Sequence, residues 1–186
     1  GGVDSTLVLA ATNQFLEAHN KKNCLTALHV NHQTQSDSSS WQIHCEKFCK
    51  EHNINFSCKS VEIKESGQGY EAAARSARLD IFDAFDEATV IILGHHLDDQ
   101  VETVFFRVLR GTGLKGLTGM QRHLKIKDKD FIRPLLHLTK EEIFKQATEY
   151  KLSFIEDQSN TDNAYSRNFL RNEIIPQISK RWPGAK

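Results

Sequence analysis

The chain has 186 residues, with 24 basic and 24 acidic side chains, and 39% of its residues are hydrophobic. This length and composition suit one globular domain with a full core and room for a small appendage. No apolar run reaches the ~18 residues of a membrane-spanning helix and no export signal is recognised, so we expect no membrane contact and a cytoplasmic protein. The four cysteines are too few for a disulfide framework and are expected to be reduced.

The first five residues combine two glycines with an Asp and a Ser. Gly1 and Gly2 let the backbone approach a ligand without a Cβ in the way, and Asp4 and Ser5 stand where a helix would begin. A glycine turn that opens a helix can cradle a phosphate, because helix N-termini bind anions. A plain helix cap explains the same residues equally well. A phosphate loop needs a strand to aim it, so we expect an apolar strand upstream of Gly1.

Hydrophobic periodicity predicts alternating helices and strands over the first 110 residues. The predicted helices span about 5–20, 41–53, 70–88 and 99–110, and the predicted strands span 25–30, 55–63 and 89–93. The polar segment 33–40 and the turn at 66–69 are expected to be loops. Strands that alternate with helices of this length predict an α/β fold with a doubly wound parallel sheet.

The pattern changes after residue 110. Residues 111–121 are rich in glycine, and 122–133 read as a basic loop or hairpin. A capping box at Thr139 starts a helix to about residue 151, and a second short helix over about 164–175 should stop near Pro176. We therefore divide the chain into a catalytic domain, 1–133, and a small C-terminal helical lobe, 134–186.

Positive charge is concentrated in residues 107–133, where eight Lys or Arg stand against two Asp. Such a segment could contact a phosphate backbone. From charge alone, a solvated charged loop is the somewhat better interpretation.

A second polar loop, 94–102, follows the strongest predicted strand. In an open parallel sheet, ligands bind beyond the carboxyl ends of the strands, so this loop should face the opening glycine turn. Asp99 and Glu102 lie three residues apart at a helix start, where both carboxylates can face the same space and hold Mg²⁺ or an ammonium group. A capping box would explain this pair without a ligand. His95 and His96 are adjacent on a tight turn and cannot easily share one metal ion.

Two further pairs have spacings that admit a function. Arg75 and Arg78 face one side of a helix and could neutralise a triphosphate, although salt bridges with nearby acidic residues would explain them too. Cys45 and Cys49 lie one helical turn apart. They are better interpreted as small core residues than as metal ligands, because the chain has no C-x-x-C pair.

At this point the motifs resemble a known family. Gly1-Gly2-Val3-Asp4-Ser5 resembles the end of the S-G-G-x-D-S loop of the PP-loop, N-type ATP pyrophosphatases. The run His95-His96-Leu97-Asp98-Asp99-Gln100-x-Glu102-Thr103, with the glycine-rich segments 109–113 and 116–120, is similar to the tRNA(Ile)-lysidine synthetases. Further matching segments follow in order at 29–32, 41–45, 71–75, 133–136, 157–162 and 167–171, so the resemblance covers nearly the whole chain.

The resemblance implies a Rossmann-like PP-loop catalytic domain that uses ATP and Mg²⁺. In this family, ATP adenylates the wobble cytidine of an isoleucine tRNA, and free lysine then displaces AMP from C2. By resemblance, ATP is held by Gly1, Gly2, Val3, Asp4, Ser5, His29, Asn31 and His32. The catalytic residues are Asp4, Arg75, Asp99 and Glu102; lysine is bound by Asp98, Asp99 and Glu102, and Mg²⁺ by Asp99 and Glu102. The tRNA is approached by Arg107, Arg110, Arg122, Lys125 and Lys127.

Two other functions remain as alternatives. A tRNA 2-thiolation enzyme of the same fold would require C-x-x-C pairs or a persulfide cysteine, for which the sequence gives no sign. A non-catalytic nucleotide- or tRNA-binding module would not require Asp4, Arg75, Asp99 and Glu102 to be intact. The sequence leaves a homodimer open.

Overall fold

The computed structural model describes residues 1–31, 38–61, 70–156 and 161–184. The helices are α1 (Val3–Ala18), α2 (Ser38–Glu51), α3 (Tyr70–Asp83), α4 (Leu97–Leu109), α5 (Leu114–Leu117), α6 (Lys140–Glu149), α7 (Ser166–Phe169) and α8 (Ile175–Arg181), with a 3₁₀ turn at Lys22–Cys24 and a π turn at Leu170–Ile174. The strands are β1 (Thr26–Asn31), β2 (Asn55–Ser60), β3 (Val90–Ile92), β4 (His123–Ile126) and β5 (Lys129–Ile132). Of the predicted loops, the turn at 66–69 lies outside the described residues, and 38–40 belong to α2.

Parallel pairing joins strands that are distant in sequence. β1 pairs in parallel with β2 along its whole length, and β3 pairs in parallel with β5, with Ile91 opposite Phe131. β4 and β5 form an antiparallel hairpin, and Lys127 in its turn has a left-handed φ of 52°. The α/β fold with a parallel sheet is confirmed, and the basic segment 122–133 is a hairpin that contributes a strand to it.

One core cluster joins the first helix to α6. Val3, Leu7 and Val8 of α1 are buried against Ile143 and Ala147 of α6, both of which are 0% exposed. Ile143 and Ala147 are four residues apart and therefore lie on the same face of α6. Burial of this apolar face stabilises the packing of α6 on α1. As a result, the first turn of α6 lies beside the first turn of α1. The division of the chain at 133/134 stays a prediction.

A second core cluster lies under the β3–β5 pair. Phe82 of α3 packs on Phe131 of β5, with ring centroids 6.1 Å apart. The helix predicted over 70–88 ends at Asp83, which corrects the predicted boundary. Beyond this end, the Lys129 ammonium donates to the carbonyl oxygens of Phe85 and Ala88 at 2.6 and 2.8 Å. The carbonyl oxygens of Phe85 and Ala88 therefore bind a side chain of β5.

The prediction that a helix stops near Pro176 is wrong. The helical run continues from α7 through the π turn and α8 to Arg181. Pro176 lies in the first turn of α8, directly after the π turn, so the proline does not end the helical run. The Thr139 cap of α6 is confirmed, since its hydroxyl accepts from the Glu142 N–H.

Within the described ranges, no helix is both long and apolar enough to cross a membrane.

Candidate functional site

The two predicted loops touch each other. A Cβ placed on Gly94 would lie 3.0 Å from the carbonyl carbon of Asp4 and 3.1 Å from the Ser5 nitrogen. These distances are tighter than most Cβ contacts, so a side chain at this position would push the chain after β3 and the start of α1 apart by a few tenths of an ångström. The glycine turn and the loop before α4 therefore form one site.

The opening turn is anchored at both glycines. The Gly2 carbonyl accepts the first helical N–H from Thr6 at 3.0 Å and the Ser5 hydroxyl at 2.9 Å. The Gly1 carbonyl accepts from the Ile155 N–H at 2.8 Å. These bonds fix the turn at the N-terminus of a 16-residue helix, where backbone N–H groups favour anions.

Three carboxylates surround His96, which is only 5% exposed. Its Nε2 lies 3.7 Å from Asp4 Oδ1 and 3.4 Å from Asp99 Oδ2, and its Nδ1 lies 3.7 Å from Asp98 Oδ2. The Asp99 carboxylate also accepts from the His96 backbone N–H at 3.0 Å, which caps α4. The predicted alternative of an Asp99–Glu102 capping box is therefore wrong, because Asp99 caps through His96.

Lys140 lies across the mouth of this site. Its ammonium donates to both oxygens of the Asp4 carboxylate at 2.7 and 2.8 Å, and its backbone N–H donates to the Asp98 carboxylate at 2.7 Å. The packing of α6 on α1 brings Lys140 here from 136 residues away along the chain. An ammonium group paired with a single carboxylate can exchange that partner for an incoming phosphate.

Glu102 is one turn deeper on α4 and forms a buried ion pair. It is 1% exposed, and its two oxygens accept from Arg171 Nε at 2.6 Å and from Arg171 Nη2 at 2.9 Å. Burial raises the pKa of the Glu102 carboxyl, although the bonds and charge of Arg171 oppose that rise. Arg171 Nη2 also lies 3.6 Å from Asp99 Oδ1, so the pair extends towards the carboxylates around His96.

His95 faces a different set of groups from His96. Its Nδ1 accepts from Arg133 Nε at 3.2 Å. Burial lowers the pKa of His95 to about 4, and the charges of Arg133 and Arg75 add to this effect while Asp99 opposes it. His95 is therefore a neutral acceptor near pH 7.

A cavity of about 490 Å³ opens beside the glycine turn. Its lining includes Gly1, Gly2, Val3, Asp4, His29 and Lys140. Trp41 of α2 adds an aromatic wall. Of the other residues predicted to hold ATP, Asn31 is buried at the end of β1, Ser5 is exposed, and His32 lies outside the described residues.

The residues predicted to approach tRNA have unequal surroundings. Arg122 and Lys125 are exposed on the β4–β5 hairpin, whereas Lys127 pairs with Asp83. Arg107 donates to the carbonyl oxygens of the glycine-rich segment, at 3.1 Å for Gly116 and 2.9 Å for Gly119. Arg110 lies over the Phe106 ring, 5.3 Å from its centroid. Arg107 thus supports local structure, while the exposed cations remain candidates for RNA.

Sequence reasoning gave no role in the site to Lys140 or Arg171, and it placed Arg133 only in the basic segment expected near tRNA. Arg133 and Arg171 stood within the segments that resembled the family, and Lys140 stood only within a capping box. Each contacts a partner 38 or more residues away in sequence, and the sequence carries no spacing signal for such contacts. Among the residues that the structure covers, no group of three His, Cys, Asp or Glu side chains could hold a metal ion.

The chain matches known proteins along almost its whole length. A tRNA(Ile)-lysidine synthase of Histophilus somni strain 2336 is 39% identical over 183 residues, covering 98% of this chain and 42% of the relative. A tRNA(Ile)-lysidine synthase of Legionella pneumophila strain Lens is 39% identical over 186 residues, covering 100% of this chain and 42% of the relative. The chain thus spans about two fifths of the length of the curated relatives it matches.

A solved structure shares the fold. The U34-tRNA thiolase from Methanococcus maripaludis, determined with its 4Fe-4S cluster, superposes with a TM-score of 0.77 at 20% identity, covering 100% of this chain and 66% of that chain. At this identity the likeness supports the fold alone. The family model of the PP-loop domain matches residues 1–178. The chain belongs to the PP-loop domain family.

Proposed function

We propose that the chain is the catalytic part of an ATP-dependent ligase that joins free lysine to C2 of the wobble cytidine of an isoleucine tRNA. The close approach of Gly94 to Asp4 carries the proposal, because it joins a helix N-terminus to the carboxylates around His96. The 39% identity to tRNA(Ile)-lysidine synthases over nearly the whole chain supports the same reaction.

ATP would bind in the cavity at the glycine turn. Its phosphates would meet the N–H groups at the start of α1, and its adenosine would lie towards His29 and Asn31 at the end of β1. The Lys140 ammonium would give up one of its two hydrogen bonds to Asp4 and bind a phosphate oxygen of ATP. In the first step, the carbonyl oxygen on C2 of the cytidine attacks the α-phosphorus, and pyrophosphate leaves with the bonding electrons. Fixed N–H groups and cations stabilise the charge that develops.

Lysine would attack in the second step. Its ε-ammonium must first lose a proton, and a nearby carboxylate can both hold the ammonium and accept that proton. Asp98 and Asp99 are suited to this role. Glu102 would join them only if Arg171 released one of its oxygens. The amine then bonds to C2, AMP departs, and the Arg75 guanidinium would stabilise the adenylated state before AMP leaves.

Mg²⁺ does not fit the pair Asp99 and Glu102 as the two residues stand. Both Glu102 oxygens accept from Arg171, and Asp99 accepts from the His96 N–H. Mg²⁺ bound to ATP would neutralise charge on the phosphates.

The tRNA would approach the exposed cations. Arg122 and Lys125 on the hairpin carry no ion pair in the described residues and are suited to backbone phosphates. Lys127 would have to exchange its partner Asp83 for a phosphate.

A lysine-transfer assay tests the proposal. Purified protein is incubated with ATP, labelled lysine and unmodified isoleucine tRNA, and both labelled RNA and AMP are measured. We expect labelled tRNA and AMP in equal amounts, with neither formed when the tRNA is left out. RNA-stimulated AMP formation that consumes a sulfur donor and leaves lysine unused would replace the proposal with the thiolation alternative. If no AMP forms under any of these conditions, the alternative of a non-catalytic binding module would replace the proposal.

A further inference from the structure

A second cleft, separate from the glycine-turn cavity, lies between α3, α4 and α7. It has a volume of about 440 Å³ and shares no lining residue with the first cavity. Its walls include Arg75, Thr103, Phe106, Arg107, Arg110 and Arg167, and we call it the arginine cleft. Four of these six side chains are cations. No carboxylate lines the cleft in the parts of the chain that the structure describes.

Three of the arginines are positioned by backbone carbonyl oxygens or by an aromatic ring. Arg107 is held by two backbone carbonyl oxygens and forms no ion pair within the described part of the chain. Arg110 lies with its guanidinium 5.3 Å from the centre of the Phe106 ring, and Arg167 lies 6.0 Å from the same ring. A guanidinium that stacks on a ring uses its face, while its N–H donors lie in its plane and can still bind an oxygen anion. The cleft therefore concentrates positive potential.

The cleft also contains a buried hydroxyl that nothing satisfies. Thr103 is 5% exposed, and its Oγ1 has no hydrogen-bond partner among the described residues. A buried polar group without a partner is unfavourable, and a polar ligand or the water it brings would remove that cost. The hydroxyl is thus a second feature, independent of the arginines, that favours a polar ligand.

The position of the cleft links it to the reaction centre. Thr103 follows Glu102 directly on α4, and Arg167 precedes Arg171 by one helical turn. The same two helical segments that form the Glu102–Arg171 pair therefore also form the arginine cleft. A ligand in the cleft would lie next to the groups that would handle lysine, while ATP would occupy the other cavity.

We propose that the arginine cleft binds a backbone phosphate of a single-stranded RNA loop, adjacent to the nucleotide that reacts. This inference rests on the proposed function, in which RNA is the substrate. Single-stranded loops are favoured over duplex because the cleft carries guanidinium planes beside an aromatic ring, on which unstacked bases can stack. Arg110 and Arg167 would contact the phosphate, and Arg107 would contribute charge while holding the glycine-rich segment.

Binding measurements in the absence of ATP and lysine test this inference. The probe is a fluorescent RNA hairpin with the anticodon loop of an isoleucine tRNA, and its affinity is measured by anisotropy over a range of salt concentrations. Arg110→Ala and Arg167→Ala are each expected to weaken binding several-fold and to reduce the salt slope by about 0.7, the value for one single-strand phosphate contact. Arg110→Lys should keep the slope.

Arg181→Ala is the matched control. Arg181 also stacks on an aromatic ring, 5.6 Å from the centre of Trp182, but it lies on α8 outside the cleft, and its loss should leave both affinity and slope unchanged. Unchanged slopes in the Arg110 and Arg167 variants would overturn the inference. If a fully paired duplex competes with the hairpin equally well, the cleft does not prefer a single strand. If ATP or pyrophosphate competes with the hairpin, the cleft binds nucleotide phosphates instead of RNA. Because no chemistry is needed, a failed lysine transfer would not affect this test.

Discussion

Gly94 lies so close to the backbone of Asp4 that a Cβ added to it would be 3.0 Å from the Asp4 carbonyl carbon. This contact joins the chain after β3 to the first turn of α1. Together with the approach of His96 to the Asp4 carboxylate, it makes one site of the glycine turn and the loop before α4.

Replacing Gly94 by alanine should therefore damage both stability and activity. Forcing a methyl group into a closed space typically costs about 1–3 kcal/mol, and the shift would separate Asp4 from His96. Gly113→Ala is the matched control, because no atom lies within 4 Å of a Cβ built there. The prediction is tested by measuring the free energy of unfolding in urea and the rate of AMP formation for both variants. Equal behaviour of the two would show that the contact is not essential.

Lys140→Ala should weaken ATP binding. The Lys140 ammonium bonds both oxygens of Asp4 at the mouth of the nucleotide cavity, so its loss removes a cation that would meet the phosphates. We expect the KM for ATP to rise about tenfold, in keeping with the loss of one charged hydrogen bond. Lys145→Ala, on the same helix and also exposed, should leave the KM unchanged. A fall in kcat at constant KM would argue against a role in binding ATP.

Arg171→Ala should destabilise the fold in a pH-dependent manner. Removing one partner of a buried pair costs about 3–5 kcal/mol because the other charge stays buried. The pKa of Glu102 is already raised by burial, so in the variant the folded protein holds the carboxyl proton more tightly than the unfolded chain. The free energy of unfolding should therefore fall as pH rises through the pKa of Glu102, and the variant should recover stability in acid.

Arg181→Ala serves as the comparison for Arg171→Ala, because it removes an exposed arginine from the same helical run. Its effect on the free energy of unfolding should stay within about 0.5 kcal/mol at every pH. A loss in Arg171→Ala that does not change with pH would contradict an unpaired Glu102 carboxylate as its cause.

His95 should remain neutral well below the pH at which histidines usually titrate. Its pKa is lowered from 6.5 to about 4 in the folded protein. A lowered folded-state pKa adds stability above pH 6.5, and that stability is lost as pH falls towards 4, because the unfolded chain takes up the proton first. The destabilisation caused by His95→Gln should therefore shrink between pH 7 and pH 4. His137→Gln, at an exposed histidine, is the matched control for the substitution.

Much of the fold was predictable from local patterns. The apolar run ending at Leu93, the capping box at Thr139 and the alternation of helices and strands indicated the elements correctly, because these signals depend on residues close in sequence. The stop at Pro176 was mispredicted, because a proline that ends one helix and a proline that begins another look alike from sequence. The residues after α3 contact Lys129, which lies more than 40 residues further on and gives no local signal in the sequence.

The candidate site was predictable only in part. Asp4, Asp99 and the facing glycine loops followed from motifs and from the geometry of parallel sheets. The partners Lys140 and Arg171 did not, because packing between distant helices brings them to the site. Glu102 was predicted as a ligand-binding carboxylate, and that role stays a prediction alongside its pairing with Arg171.

The most direct test of the central claim compares wild-type protein with Asp4→Asn in one assay of AMP release and lysine incorporation into isoleucine tRNA. Asparagine keeps the size of Asp4 and removes the charge that pairs with Lys140. If the glycine turn and the loop before α4 form the ATP site, both products should fall together by at least about a hundredfold, the scale of losing one essential polar group in a reaction centre. Undiminished AMP release in Asp4→Asn would contradict the claim.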